Sequence, residues 1–143
     1  MAAITRGEVA HLNPGTVVLR TIVVVLTLAT AAIHASLGGL LFMANAAGYT
    51  VLAMAMVSPG LPARWRWLVR LALIGFTAVT ILGWVAMGPR FGLAYVDKAI
   101  EVALIGILLV EQWRSDGGPV AIYRRLRRLA HSVAAVSVAR QAR

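Results

Sequence analysis

The sequence predicts an all-α integral membrane protein, a four-helix transmembrane bundle followed by a basic amphipathic interfacial helix. Composition is the first observation behind this. Of 143 residues, 60% are hydrophobic and 13% charged, where a soluble domain carries about 25% charged residues. Mean hydropathy is +0.82, too apolar to cover a water-exposed surface. The second observation is a run from Thr21 to Ala63 with no Asp, Glu, Lys or Arg. One crossing of a hydrocarbon core takes roughly 20 apolar residues, so this run holds two crossings and a tight turn. The third is that most charges gather at the ends of apolar runs, where they orient spans and meet headgroups.

Residues 1–15 are polar and punctuated by Pro14 and Gly15, and read as a cytoplasmic N-terminal segment. The first span runs over about 16–35. Its β-branched residues are no obstacle, because lipid leaves an isolated segment no solution but helix. A signal peptide is the competing reading, with Arg6 and Arg20 before an apolar core and an Ala29-Thr30-Ala31 cleavage pattern. The chain continues, however, into another span rather than a soluble domain. Ser36-Leu37-Gly38-Gly39 makes the reversal. The second span, 40–57, stops at Ser58-Pro59-Gly60-Leu61-Pro62. Arg64, Arg66 and Arg70 flank Trp65 and Trp67, a pairing suited to headgroup level. The third span covers 67–87 and ends at Gly88-Pro89. The fourth covers 93–113, with Tyr95 and Trp113 as belt residues.

Basic residues set the orientation. With the N-terminus inside, twelve arginines fall on the cytoplasmic side and only Arg90 and Lys98 on the other. The positive-inside rule then places both termini in the cytoplasm. Residues 119–142 form the amphipathic helix. Ile122, Leu126, Leu129, Val133 and Val136 share one face, and Arg124, Arg125, Arg127 and Arg128 mostly take the other. Such a helix lies on anionic inner-leaflet lipid, each arginine contributing about 1 kcal/mol. Lipid-headgroup contact is expected from Arg64, Arg66, Arg124, Arg125, Arg127 and Arg128. The net charge of +9 is thereby assigned to lipid rather than to nucleic acid.

Asp97, Lys98 and Glu101 lie inside the fourth span, where ionisable groups are costly and usually face a bundle interior or a cavity. At about 1.5 Å rise per residue, Asp97 is roughly 5 Å deep and Glu101 roughly 10 Å deep from the outer boundary. On the same count, His34 and Trp84 are about 6 Å deep, Asn45 about 9 Å and Thr80 about 12 Å. Thr27, Thr30 and His34 share one helix face; Asn45 and Tyr49 share another, and Thr77, Thr80 and Trp84 a third. The expectation is an outward-opening polar pocket lined by His34, Asn45, Tyr49, Thr80, Trp84, Asp97, Lys98 and Glu101. The structural alternative is local pairing of Lys98 with Glu101, snorkelling of Asp97 and Lys98, and interhelical hydrogen bonds from Asn45 and His34.

Other chemistries find little support. The chain has no cysteine, which removes disulfides and thiolate chemistry. Only His34 among the histidines falls within a span, so haem held by two facing histidines is not expected. His34, Asp97 and Glu101 are tolerable ligand types, but no motif spacing supports them, and no metal or cofactor is expected. There is no nucleophile-and-base arrangement and no phosphate loop, so the chain does not read as an enzyme. Small residues repeat every fourth position at Ala31, Ala35 and Gly39, at Ala44 and Gly48, and at Ala99 and Ala103. They permit close helix approach within a bundle or a dimer.

Leu41-Phe42-x-x-Asn45-x-x-Gly48-Tyr49, with His34 before it and Lys98-x-x-Glu101 after, resembles a group of small four-span bacterial membrane proteins of unknown function. The resemblance covers roughly residues 20–112. It implies four helices and gives weight to these polar positions, but brings no activity. The chain admits three functional readings. The first is a non-enzymatic membrane component that associates with itself or with a larger complex. The second is a proton- or ion-coupled small-solute transporter built around Glu101, with His34 and Asp97 near its outer mouth. The third is a quinone-binding redox subunit using His34, Tyr49 and Trp84.

Overall fold

The computed structural model describes residues 14–62, 65–118, 120–128 and 131, and among these there are helices and no strands. Helix α1 spans Pro14–Leu37, opened by a proline whose missing N–H costs nothing at a first helical position. Gly38 and Gly39 come next with φ of 66° and 78°, a left-handed pair that only glycine adopts freely. Helix α2, Leu40–Val57, has the expected bounds. Helix α3 is Arg66–Met87. Helix α4, Gly92–Asp116, runs three residues past the expected end, to a left-handed Gly117 at φ 80° that caps it.

Three of these helices, α1, α2 and α3, are long and apolar enough to cross a membrane. Helix α4 is longer still but carries Asp97, Lys98, Glu101, Glu111, Arg114 and Asp116. The packing order is cyclic: α1 contacts α2 and α4, and α3 contacts α4 and α2. Buried positions recur at spacings of three and four, as in Val23, Thr27, Thr30 and His34 on α1 and Ala46, Tyr49, Ala53 and Met56 on α2. This repeat keeps one face of α1 turned inward from Val23 to His34 and one face of α2 from Ala46 to Met56. The opposite faces expose Val25, Val51, Leu82 and Val102. So much bare aliphatic surface is a liability in water and the natural exterior of a helix in lipid.

A dry middle joins the four helices, built from Val23, Met56, Leu73, Leu104 and Leu108. Polar side chains collect at either end of it. Beyond α4, residues 120–128 are helical, with Arg124, Arg125, Arg127 and Arg128 exposed. The Arg125 guanidinium lies 5.9 Å from the Trp67 ring centroid. Of the expected apolar face, Leu126 is 45% exposed, while Leu129, Val133 and Val136 lie outside the described residues, as does the rest of the expected 119–142 helix. The 1–15 segment up to Asn13, and Arg64, are likewise outside them.

Candidate functional site

The α4 face that begins at Asp97 sets the site. Asp97, Lys98 and Glu101 fall on neighbouring turns of one side, and Glu101 is fully buried. Its carboxylate is held by donors from three helices. Oε1 accepts from the Tyr49 hydroxyl of α2 at 2.8 Å and from Thr80 of α3 at 2.9 Å. Thr80 has a single proton, which it divides between Glu101 and the Thr77 carbonyl at 2.8 Å. Oε2 accepts from Lys98 Nζ at 2.6 Å. Both oxygens of this carboxylate are therefore partnered, as a buried anion requires.

Asp97 is less well served. Its Oδ2 meets Lys98 Nζ at 3.0 Å, so one ammonium bridges both carboxylates. Its Oδ1 is buried and has no hydrogen-bond partner; His34 Nδ1 lies 3.7 Å away, beyond bonding range. His34 Nδ1 instead sits 3.0 Å from the Thr30 carbonyl oxygen. A carbonyl can only accept, so Nδ1 carries the hydrogen, and Nε2 keeps a free lone pair in the neutral ring. The His34 ring packs on Tyr49, centroids 5.6 Å apart, and Tyr49 meets Phe76 edge-on at 4.9 Å.

Above this cluster is a cavity of about 330 Å³ at the end of the molecule where the α1–α2 turn and the α3–α4 loop meet. Six of the eight expected pocket residues line it: His34, Asn45, Thr80, Trp84, Asp97 and Lys98. Tyr49 and Glu101 are not in its wall but beneath its floor, where they anchor the residues that are. The remaining lining is almost wholly apolar, from Leu41, Phe42, Val79 and Phe91 among others. Trp84 belongs to the rim: its Nε1 donates to the Pro89 carbonyl at 3.0 Å, and the Arg90 guanidinium covers its ring at 4.1 Å. Asn45 is half-buried and lines the cavity. Lys98 does not snorkel outward; it turns inward to two carboxylates, and Coulomb attraction there outweighs the reach of its stem for water.

Among the described residues, His34, Asp97 and Glu101 are also the group that could hold a metal ion, each offering one ligand atom, all within 4.8 Å of one another. The Lys98 ammonium occupies the cationic position between the two carboxylates. Two negative side chains face one positive one, which leaves the cluster a net negative charge while His34 is neutral.

A second polar cluster, at the other end of the dry middle, is one that the sequence reading missed. Arg70 does not face outward: it is 4% exposed, and Trp67 is also buried. Arg70 Nε donates to Gln112 Oε1 at 2.8 Å and NH1 to Glu111 Oε1 at 3.2 Å. Arg20 lies within electrostatic reach of Arg66, Arg70 and Glu111. The signal was present in the spacing. Glu101, Leu104, Leu108 and Glu111 continue one α4 face at intervals of three, four and three, and Arg70, Leu73, Thr77 and Thr80 do the same on α3.

Comparison with protein-family models, with curated proteins and with solved structures finds no match for this chain.

Proposed function

We propose that this chain is an ion-coupled carrier of a small solute, crossing the bacterial inner membrane four times with both termini in the cytoplasm. The observation that carries this reading is the unpartnered Asp97 Oδ1, buried at the floor of a cavity whose ionic groups are otherwise paired. Its wall is apolar with a few convergent polar groups, the make-up of small-molecule sites, and its size falls within their usual range of about 300–1,000 Å³. The solute that fits is small and mostly apolar, with a hydrogen-bonding head that donates to Asp97 and meets the Asn45 amide. Net negative charge at the floor favours an amine over an alcohol, and an alcohol over a carboxylate. The fourth crossing, by α4, is argued from its length and from turning its charges toward the other helices.

The test is thermal unfolding of the full chain in detergent with butylamine, butanol or butyrate. Butylamine should raise the midpoint most, and Asp97→Asn should abolish the rise while keeping the helical circular dichroism. Equal response to all three probes would overturn the assigned solute chemistry. Counterflow of labelled butylamine in liposomes should vanish in Glu101→Gln; undiminished flux in a folded variant removes Glu101 from the mechanism. Reporter fusions at both termini and in the Arg90 loop test the orientation, and an external C-terminus would overturn it.

One observation favours self-association as a second reading. Ala99, Ala103 and Gly106 are all exposed on α4, at helical spacing, so the small residues there are not consumed inside the fold. Because the chain has no cysteine, Ala103→Cys gives a single crosslinking site. A disulfide-linked dimer in membranes supports this reading, and a monomer under oxidising conditions counts against it.

A further inference from the structure

We propose that His34, Asp97 and Glu101 form a binding site for a first-row divalent metal ion, in which Lys98 is a tethered competitor that yields to the metal. This rests on the reading that the cavity is a site open to solutes, and it names the coupling ion, which exchanges with the amine for Asp97 rather than binding beside it.

Each of the three candidate ligands is already oriented or poised. His34 Nδ1 is the ring nitrogen beside the carboxylates, 3.7 Å from Asp97 Oδ1. It now donates its hydrogen to the Thr30 carbonyl, so a metal would bind it once that hydrogen has passed to Nε2 in the other neutral tautomer. Glu101 Oε1 is held by Tyr49 and Thr80, so its Oε2 can exchange one cation for another without loss of either bond. Asp97 Oδ1 is buried without a partner, an acceptor in the cluster still waiting for a cation or donor. The candidate ligand atoms lie within 4.8 Å of one another. Donors about 2.0–2.2 Å from a bound ion can be no more than about 4.4 Å apart, so small side-chain movements close the site.

Charge favours the exchange. With Lys98 in place, one ammonium faces two carboxylates; a divalent ion balances both. A mixed nitrogen and oxygen donor set suits zinc, manganese or cobalt rather than a soft monovalent ion. Lys98 has the means to leave, since it lines the cavity and its ammonium rides on a flexible four-carbon stem. Its departure toward the cavity costs it no burial in lipid.

The test uses the untagged full chain in detergent and cobalt(II) as the probe, read by its visible absorption. Wild type should bind one equivalent. Lys98→Met should bind at least about tenfold more tightly, since it removes the competing charge, and His34→Gln should lose the visible band. A folded Lys98→Met variant that binds no more tightly than wild type overturns the proposal, as does a band that survives His34→Gln. If Lys98→Met does not fold, wild type alone decides: no His34-dependent band at millimolar cobalt overturns it. Butylamine stabilisation is read separately, so cobalt binding without an amine response would sink the solute chemistry and leave the metal site standing.

Discussion

The two ends of this molecule solve the same problem with different cations. At one end Lys98 bridges Asp97 and Glu101; at the other Arg70 binds Glu111 and Gln112 together. Arginine offers a planar fork that engages two acceptors at once, whereas lysine is a point charge on a flexible stem. The Arg70 cluster therefore reads as a fixed clasp between α3 and α4. The Lys98 cluster reads as exchangeable, beside a cavity and short of one positive charge. On the proposed function, the choice of base separates an end that holds the fold from an end that handles a ligand.

Unequal mutational costs would sharpen that contrast. The largest effect is expected from Arg70→Met, which removes the arginine from buried Glu111 and should cost about 3–5 kcal/mol, read as loss of thermal stability in detergent. With cobalt(II) or butylamine supplied, Lys98→Met should cost clearly less, because the metal ion or amine takes the vacated position; equal losses at the two ends would break the comparison. Arg70→Lys keeps the charge and loses the fork, and should cost about 1–3 kcal/mol. Tyr49→Phe removes one donor from Glu101 and should cost about 1 kcal/mol, near the upper part of the range for hydrogen bonds between membrane helices. Gly48→Ala should cost about 1 kcal/mol, the low end for overpacking: its new Cβ would meet three atoms of the Phe76 ring, the nearest at 2.5 Å, and that ring is packed on Tyr49.

Much of the helical layout was legible because breakers punctuate it. Gly38-Gly39 and Ser58-Pro59-Gly60 bound α2 at the residues expected of them. The cavity-lining residues were legible through depth: polar positions counted from different turns reached one level, and Tyr49, Thr80 and Glu101 meet there. Depth counted from a turn is too coarse to separate the walls from the foundations, and Tyr49 and Glu101 lie below the cavity. The pairing of Arg70 with Glu111 was missed for a different reason. A charge near the end of an apolar run has water within reach, and only the inward register of the whole helix shows that it turns away.

Leu104 and Leu108, fully buried between the two clusters, have an electrical consequence. On α4, Glu101 and Glu111 are separated by about ten residues, or about 15 Å of axis, with the two leucines between them. In the proposed topology, with water reaching both clusters, that interval would be the thinnest insulating layer and would carry most of the membrane potential. A unit charge crossing it would gain or lose about 2.3 kcal/mol per 100 mV. Ion movement at the Lys98 end alone would hardly sense the voltage, whereas passage beyond the leucines would be strongly voltage-dependent. Polar substitution of Leu104 or Leu108 should then appear first as a leak current, before any loss of binding.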